Sequence, residues 1–398
     1  MKTSQEWIDL GKKVLFGTYS RIPLVPVRGE GCRVWDADGR CYLDFVAGIA
    51  VNALGHAYPK VVDAIEKQAR SLIHCSNLYN IPPQIELAEL LVAHTFADRV
   101  FFCNSGAEAN EAAIKLARKW GAANGGRYEV VTFRQGFHGR TLATVAATGQ
   151  AWCQEGYDPL PVGFAYADYN DIESVKAAVG DKTVAIMLEA VQGEGGVNPA
   201  TPEFMSAVRA LCDEKNLLMI CDEVQSGIGR TGTWFAWQGY GVKPDLFTCA
   251  KALGGGLPMG ALVASAKFAD VFTPSSHAST FGGNPVAAAA ALAVIDVIEE
   301  EGLLENAKAM GEKFKEMLEE FADKYDKLLD VRGKGLMLGL VTEGEAKDVV
   351  EALKEQGVLA LTAGAHVVRF LPPLTISEGD LGEVQDMMSD AFGCVFGE

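Results

Sequence analysis

Short apolar runs rich in β-branched and aromatic residues alternate with helical or loop segments through the middle of this 398-residue chain. The runs are residues 99–103, 129–133, 183–188, 217–221 and 246–249. Such an alternation predicts an α/β fold with a parallel or mostly parallel sheet and helices on both faces. Ligands in such sheets bind beyond the carboxyl ends of the strands, so the side chains that follow these runs are the first candidates for a functional site.

The segments on either side of this alternation have other patterns. Before it, we predict a hairpin and two helices at residues 32–45, 59–72 and 81–94. After Pro285, we predict long helices and then a smaller mixture of strands and helices, at residues 286–300, 303–325, 335–341, 345–356, 358–361, 367–371 and from Ser377 onward.

These patterns predict three parts of the chain. Residues 1–50 are an N-terminal arm and hairpin that packs on the small domain, residues 51–290 a large ligand-binding α/β domain, and residues 291–398 a small C-terminal α+β domain.

Composition excludes several classes of partner. Lys and Arg number 35 against 52 Asp and Glu, a net charge of −17, which argues against nucleic acid and anionic membranes. The nine cysteines include no Cys-x-x-Cys pair, so we predict reduced thiols and no metal site. The N-terminus does not resemble a secretory signal, and no stretch is long and apolar enough to span a membrane. We therefore expect a cytoplasmic protein.

A lysine follows the last apolar run and begins a glycine-rich turn, Lys251-Ala-Leu-Gly-Gly-Gly. Desolvation lowers the pKa of a buried lysine and makes its amine a nucleophile towards an aldehyde. The glycines leave room beside the amine for a flat, bulky group. On its own, such a motif is better explained by a strand-end lysine that reaches water before an ordinary glycine loop.

An acidic group at the end of another run favours the chemical interpretation. Asp222 follows residues 217–221, and Gln225 comes three positions later. A lysine that forms a Schiff base and an aspartate that keeps a pyridine nitrogen protonated are the pair that pyridoxal 5'-phosphate requires. The sequence therefore predicts a site for this cofactor.

Two segments after strands offer groups for the rest of such a cofactor. Residues 104–110 form a small polar turn that opens an alanine-rich helix, where free N–H groups favour phosphate, although an ordinary helix cap has the same pattern. In residues 135–141, Phe137 and His138 are suited to stacking on a flat ring and Arg140 to binding a carboxylate. The alternative is a loop with a buried phenylalanine and a surface arginine.

Two more segments are rich in small and polar residues. Residues 188–196 contain Glu189 and Glu194, which suit a nearby cation or cap a loop. Residues 277–285, with Ser279 and Thr280, indicate close approach of another backbone or a ligand.

Taken together, these segments resemble the class III pyridoxal-phosphate-dependent aminotransferases, and among them the acetylornithine aminotransferases. The first resemblance lies in residues 104–112, 136–141, 222–225, 251–256 and 279–285, and the second in residues 44–56, 76–79 and 368–373. It covers essentially the whole chain. It implies the fold type I arrangement and a homodimer.

The resemblance also implies residue roles. Lys251 and Asp222 are the catalytic residues. Cofactor-binding residues are Ser105, Gly106, Ala107, Phe137, His138, Asp222, Gln225, Lys251 and, from the partner subunit, Thr280. Substrate-binding residues are Tyr19, Arg140, Glu194, Ser279 and Arg369. Among these, Tyr19 and Arg140 clamp the carboxylate of the amine substrate. Arg369 binds 2-oxoglutarate, and Glu194 neutralises Arg369 while the amine occupies the site.

The implied reaction transfers the distal amino group of N2-acetylornithine to 2-oxoglutarate, in arginine biosynthesis. Succinylornithine, ornithine and 4-aminobutyrate are alternative donors. Gln225 argues against an aminomutase, and the two carboxylate clamps argue against a non-catalytic binding protein. The chain departs from many relatives at Ala57-Tyr58, Asn80 and His366. Ile49 stands where ornithine aminotransferases carry a tyrosine, and its apolar side chain suits a substrate whose α-amine is acylated.

Overall fold

The computed structural model describes residues 2–397. The strands, numbered in chain order, are Pro26–Glu30 (β1), Arg33–Asp36 (β2), Cys41–Asp44 (β3), Arg99–Cys103 (β4), Glu129–Phe133 (β5), Phe164–Ala167 (β6), Thr183–Glu189 (β7), Val191–Gln192 (β8), Asn198–Pro199 (β9), Leu218–Asp222 (β10), Leu246–Cys249 (β11), Gly260–Ala264 (β12), Leu328–Lys334 (β13), Met337–Thr342 (β14), Val358–Leu359 (β15), Leu361–Thr362 (β16) and Val367–Phe370 (β17).

The helices are Ser4–Val14 (α1), Ala47–Ala50 (α2), Pro59–Ser71 (α3), Pro82–Ala93 (α4), Gly106–Ala123 (α5), Leu142–Ala147 (α6), Ala151–Gln154 (α7), Ile172–Ala178 (α8), Pro202–Lys215 (α9), Pro285–Glu300 (α10), Leu303–Lys324 (α11), Ala346–Gln356 (α12) and Glu378–Phe396 (α13). Within residues 2–397, no helix combines the length and the apolarity that crossing a membrane requires.

The largest sheet has the strand order β4-β12-β11-β10-β7-β5-β6. All of its strands run in one direction except β12, which is antiparallel to both β11 and β4. The mostly parallel sheet predicted from the sequence is therefore confirmed. Strands β6 and β12 were not predicted, and β12 reverses direction because the chain turns back directly through the glycine-rich segment after β11.

Helices cover both faces of this sheet because its strands are apolar on both sides. On one face, α5 packs through small residues such as Ala113 and Ala117 against Val130 and Ile220. On the other face, Phe204 and Val208 of α9 pack against Val131. The strands that carry the candidate residues are thus held in a rigid layer, with their carboxyl ends at one edge.

Two smaller sheets flank this layer, with the strand orders β1-β2-β3-β15 and β13-β14-β17-β16. The predicted hairpin is present as β2 and β3, and β3 pairs in parallel with β15 from the C-terminal region. Strand β13 was not predicted, and it forms a hairpin with β14. The division into three domains at residues 50 and 290 stays a prediction.

Candidate active site

A cavity of about 440 Å³ lies where β4, β5, β7, β10 and β11 end. It brings together nine of the residues to which the family resemblance assigns a role. They are Ser105, Gly106, Ala107, Phe137, His138, Arg140, Asp222, Gln225 and Lys251. The carboxyl ends of parallel strands meet at one edge of a sheet, which is why residues up to about 150 positions apart share this cavity.

Lys251 begins the turn that follows β11, with a backbone φ of 44°. This left-handed conformation is uncommon outside glycine and is often found at functional sites. Desolvation in the cavity lowers the pKa of Lys251 to about 8. A substantial fraction of the amine is therefore neutral, and so nucleophilic, near physiological pH.

Asp222, at the end of β10, is held by three donors. Its Oδ2 accepts hydrogen bonds from His138 Nδ1 and Asn110 Nδ2, both at 2.8 Å, and its Oδ1 accepts one from the Val224 amide at 3.0 Å. Burial acts to lower the pKa of His138, but the hydrogen bond and charge of Asp222 outweigh it and raise that pKa. The network keeps a carboxylate oriented at the base of the cavity.

Asn110 was missed as a site residue by the sequence analysis. It is 1% exposed on α5, donates to Asp222 and to the His138 carbonyl, and accepts from the Thr248 hydroxyl at 2.7 Å. An asparagine on the sheet-facing side of an alanine-rich helix was the available signal, since a buried amide needs partners. The stacking role predicted for His138 stays a prediction, and its bond to Asp222 is an added contact.

The turn between β4 and α5 has the features of an anion site. The Ser105 hydroxyl accepts from the Glu108 amide at 3.2 Å, while the first-turn amides of Gly106 and Ala107 have no carbonyl partner within their own helix. A Cβ at Gly106 would lie 2.5 Å from a methyl of Val224, so only glycine fits without movement. These amides, at the positive end of a long helix, suit a phosphate.

Glu189 ties two loops of the cavity together. One carboxylate oxygen accepts from the Phe137 amide at 2.9 Å and the other from the Gly193 amide at 3.2 Å. Burial raises the pKa of Glu189 to about 7. The sequence left open whether Glu189 lies near a cation or caps a loop. Its two hydrogen bonds to backbone amides are those of a loop cap.

Arg369, on β17, is 2% exposed and pairs with Glu194. Its Nη1 donates to Glu194 Oε1 at 2.7 Å and to Gln225 Oε1 at 3.1 Å, and Gln225 Nε2 donates to Glu194 Oε1 at 3.1 Å. Burial acts to raise the pKa of Glu194, but Arg369 more than offsets it, so the pKa is lowered. The carboxylate therefore stays ionised beside a buried guanidinium.

Arg140 is placed at the cavity without an ionic partner. Its guanidinium lies 4.7 Å from the ring centroid of Trp152 and 5.5 Å from that of Phe137. Among the residues that the structure describes, no carboxylate lies within 4.0 Å of it. An unpaired guanidinium held between two aromatic rings is suited to a carboxylate ligand.

Five predicted residues do not line this cavity. Glu194 and Arg369 contact its wall through hydrogen bonds to Gln225, and the other three are Tyr19, Ser279 and Thr280. Tyr19 is 73% exposed, with Arg21 over its ring. Ser279 and Thr280 line a second cavity of about 600 Å³. Ser279 is linked to the first cavity, because its hydroxyl accepts a hydrogen bond at 3.2 Å from Asn104, which lines that cavity. Their roles, like the roles of the residues inside the cavity, stay predictions.

The family described as Aminotransferase class-III matches residues 17–392. The chain belongs to the class III aminotransferases.

This class III aminotransferase is similar to acetylornithine aminotransferases along nearly its whole length. It is 51% identical to that of Caldanaerobacter subterraneus subsp. tengcongensis over 386 residues, 96% of this chain and 98% of the relative. It is 49% identical to that of Methanocaldococcus jannaschii, with 98% of both chains covered.

Among solved structures, the ornithine aminotransferase of Toxoplasma gondii ME49 superposes with a TM-score of 0.96 at 32% identity, over 99% of this chain and 96% of the other. The acetylornithine aminotransferase of Elizabethkingia anophelis has a TM-score of 0.88 at 34% identity, over 98% and 99%.

The cofactor of this aminotransferase is pyridoxal 5'-phosphate, and the residues of the cavity fit it. The amides of Gly106 and Ala107 suit its phosphate, Asp222 its protonated pyridine nitrogen, and Lys251 its aldehyde. When bound, it withdraws electron density from the substrate carbon next to the reacting amine.

Proposed function

We propose that this aminotransferase transfers the distal amino group of N2-acetylornithine to 2-oxoglutarate, giving N-acetylglutamate 5-semialdehyde and glutamate, in arginine biosynthesis. The observation that carries the proposal is that, of two arginines at the site of Lys251, one has an ionic partner and the other has none among the described residues. Arg140 is unpaired at the cavity wall, whereas Arg369 is neutralised by Glu194. Similarity to acetylornithine aminotransferases over nearly the whole chain supports the same substrate.

The two arginines explain how one cavity accepts two different substrates. Arg140 binds the carboxylate of acetylornithine, whose α-nitrogen is uncharged because it is acylated. While Glu194 pairs with Arg369, the buried guanidinium needs no substrate anion. For 2-oxoglutarate, Glu194 moves away and Arg369 binds a carboxylate of the keto acid. Glu194 is thus a switch between the two half-reactions.

Lys251 transfers protons in both half-reactions, and Asp222 provides the partner for the ring nitrogen. With its pKa lowered to about 8 by burial, the Nζ of Lys251 takes a proton from the substrate carbon and returns one. Asp222, oriented by His138 and Asn110, presents its carboxylate where a protonated ring nitrogen needs a partner. Phe137, whose amide donates to Glu189, lines the cavity, where its ring is suited to stacking on the flat cofactor.

A donor comparison tests the proposed substrate. We expect kcat/KM for acetylornithine to exceed that for ornithine by at least about tenfold, because the charged α-amine of ornithine has no carboxylate assigned to it. Single-turnover measurements isolate the amine half-reaction. Equal rates for the two donors would contradict the acylated substrate and leave only the aminotransferase.

Glu194→Gln tests the switch separately, because glutamine has similar size but no charge. With Arg369 unpaired, small α-amino acids such as alanine gain a carboxylate partner. We expect discrimination against them to fall by about tenfold. Unchanged selectivity would contradict the switch while leaving the choice of donor intact. Arg140→Ala is the control: it should weaken acetylornithine without favouring alanine.

We further propose a homodimer that works in the cytoplasm. Helix α1 has no buried residue, and Trp7, Phe16, Leu78 and Phe281 are large apolar side chains that the single chain leaves exposed. Apolar surface of this extent favours burial against a second copy. Tyr19, Ser279 and Thr280 then complete the site at the subunit interface. All nine cysteines are unpaired, as expected in a reducing compartment.

A further inference from the structure

The four residues of α2, directly before the cavity-lining residue Val51, have a left-handed backbone, so this element is a left-handed turn and not a regular α-helix. The φ values are 47° at Ala47, 66° at Gly48, 65° at Ile49 and 59° at Ala50. Residues other than glycine adopt this conformation rarely and singly, and a β-branched residue such as isoleucine hardly at all. This segment, the left-handed turn, therefore needs support from its surroundings.

The support comes from Asp44 and His56. Asp44 is 6% exposed, and its Oδ1 accepts from the amides of Val46 and Ala47, both at 3.0 Å. Its Oδ2 forms a 2.6 Å hydrogen bond with His56 Nε2. The carboxylate thus anchors the start of the left-handed turn with one oxygen and holds the histidine with the other. We call these two side chains the Asp44–His56 pair.

His56 is itself fixed against β1 and the residue that follows it, Gly31. Its backbone exchanges two hydrogen bonds with Gly31, at 2.8 and 3.0 Å. Its ring lies so close to Gly29 that a Cβ there would be 2.5 Å from the ring Cγ. The pair therefore connects the left-handed turn to a rigid neighbouring strand.

The left-handed turn contacts three parts of the active site. It packs on the turn that begins at Lys251. Ala50 lies in an apolar cluster with Val191 and Val197, on either side of the Glu194 loop, and with Val367 on the strand of Arg369. The residue after the turn, Val51, lines the cavity itself. A shift of this turn would therefore displace Lys251, the loop of Glu194 and the cavity wall at Val51.

We propose that Asp44 and His56 are positioning residues that hold the left-handed turn, and through it the cavity wall at Val51, in the shape that receives the amine substrate. Neither side chain of the pair lines the cavity. Its loss should therefore weaken substrate binding more than the chemical step at Lys251. This inference rests on the proposed function in one respect only, the choice of acetylornithine as the amine substrate in the assay.

The chain offers a matched control in Asp36, on the neighbouring strand. Asp36 is 9% exposed, accepts from the amides of Asp38 and Arg40 at 3.0 and 2.8 Å, and accepts from the Tyr42 hydroxyl. It caps a hairpin turn as Asp44 caps the left-handed turn, but the turn that Asp36 caps contains no cavity-lining residue and is not next to one in the chain. Asp36→Ala therefore removes a comparable buried carboxylate that caps a turn, but it should not change the position of the cavity wall.

The experiment compares Asp44→Ala with Asp36→Ala in the holoenzyme. Both should retain the visible absorbance of the bound cofactor. We expect Asp44→Ala to raise KM for acetylornithine by at least about tenfold with kcat changed by less than about threefold, and Asp36→Ala to leave KM within about twofold. If Asp44→Ala does not fold, His56→Gln serves in its place and should also raise KM.

A rescue distinguishes support of the turn from general stability. Glycine adopts the left-handed conformation without steric strain. Adding Ala47→Gly and Ala50→Gly to Asp44→Ala should therefore lower the raised KM by about threefold or more, and should give no gain in the Asp36→Ala protein. A KM in Asp44→Ala like that of Asp36→Ala, or no gain from the glycines, would overturn the proposal.

The outcome is separable from that of the proposed function. If the wild-type enzyme does not accept acetylornithine, the donor proposal fails. The ratio of variant to wild-type KM is then measured with the amine that the wild-type enzyme does accept, and it decides the positioning role by the same criteria.

Discussion

Lys251 carries an amine whose pKa burial lowers to about 8, and this has a measurable consequence before any substrate is added. Only the neutral amine reacts with an aldehyde, so the rate at which apoprotein takes up pyridoxal phosphate should rise with pH. Because the pKa is lowered, the rise should level off just above about pH 8. The measurement is the growth of visible absorbance after mixing apoprotein and cofactor at a series of pH values.

The control for this prediction is a small lysine peptide, whose amine has an ordinary pKa of about 10.4. Its reaction rate should go on rising well above the pH at which the protein levels off, and the comparison removes the cofactor's own titration. Lys251→Ala should lose the reaction that levels off near pH 8 and keep only a slow reaction of its other lysines, with the pH profile of the peptide. A protein profile that follows the peptide would show that burial does not activate this lysine.

At the scale of elements, the site depends on how closely β12 approaches the turn between β4 and α5. Gly260 pairs with Cys103, and a Cβ on it would lie 2.4 Å from the Ser105 carbonyl oxygen, a backbone atom that cannot yield without moving the turn. We expect Gly260→Ala to displace the amides of Gly106 and Ala107 and to weaken binding of pyridoxal phosphate by about tenfold, equivalent to ~1.4 kcal/mol. Cofactor titration of apoprotein measures this.

Gly382, on α13, is the matched control for that substitution. A Cβ there would meet nothing within 4 Å, so Gly382→Ala should leave cofactor affinity unchanged and stabilise the helix by up to about 1 kcal/mol. Equal cofactor affinity in the Gly260→Ala and wild-type proteins would show that the phosphate is not held by this turn.

For the whole molecule, the proposed homodimer predicts that each site uses groups from two chains. Lys251→Ala removes the lysine from its own site, and Thr280→Ala removes the threonine from the partner's site. Mixing the two variant proteins then creates hybrid dimers with one complete site. After random exchange in an equal mixture, about half of the dimers are hybrid, and one of the two sites in each hybrid is complete. The mixture should therefore have about a quarter of the wild-type activity.

Exchange of subunits must be confirmed independently, for example with differently tagged chains. Activity that stays at the level of the Thr280→Ala protein after confirmed exchange would place Thr280 outside the partner's site. A monomer by sedimentation would contradict the homodimer itself.

Several features of this protein follow from the sequence alone. The alternation of apolar runs and helices predicts the mostly parallel sheet, and such a sheet brings its strand ends to one edge. Ser105, Phe137, Asp222 and Lys251 follow four different runs, so their shared cavity was predictable although they are far apart in the chain. Their chemistry was predictable too, because a lysine and an aspartate at strand ends suit one cofactor.

Other features were decided only by the tertiary structure. Periodicity and residue preference report on neighbours within a few positions, and they contain no information on which distant segments meet. The reversed direction of β12, the bond between Asn110 and Asp222, and the left-handed turn held by Asp44 all depend on the path of the chain. The contact between Glu194 and Arg369 spans 175 positions, and the family resemblance implied it, whereas no local pattern did. Burial of that guanidinium makes the pairing necessary, and burial is a property of the folded chain.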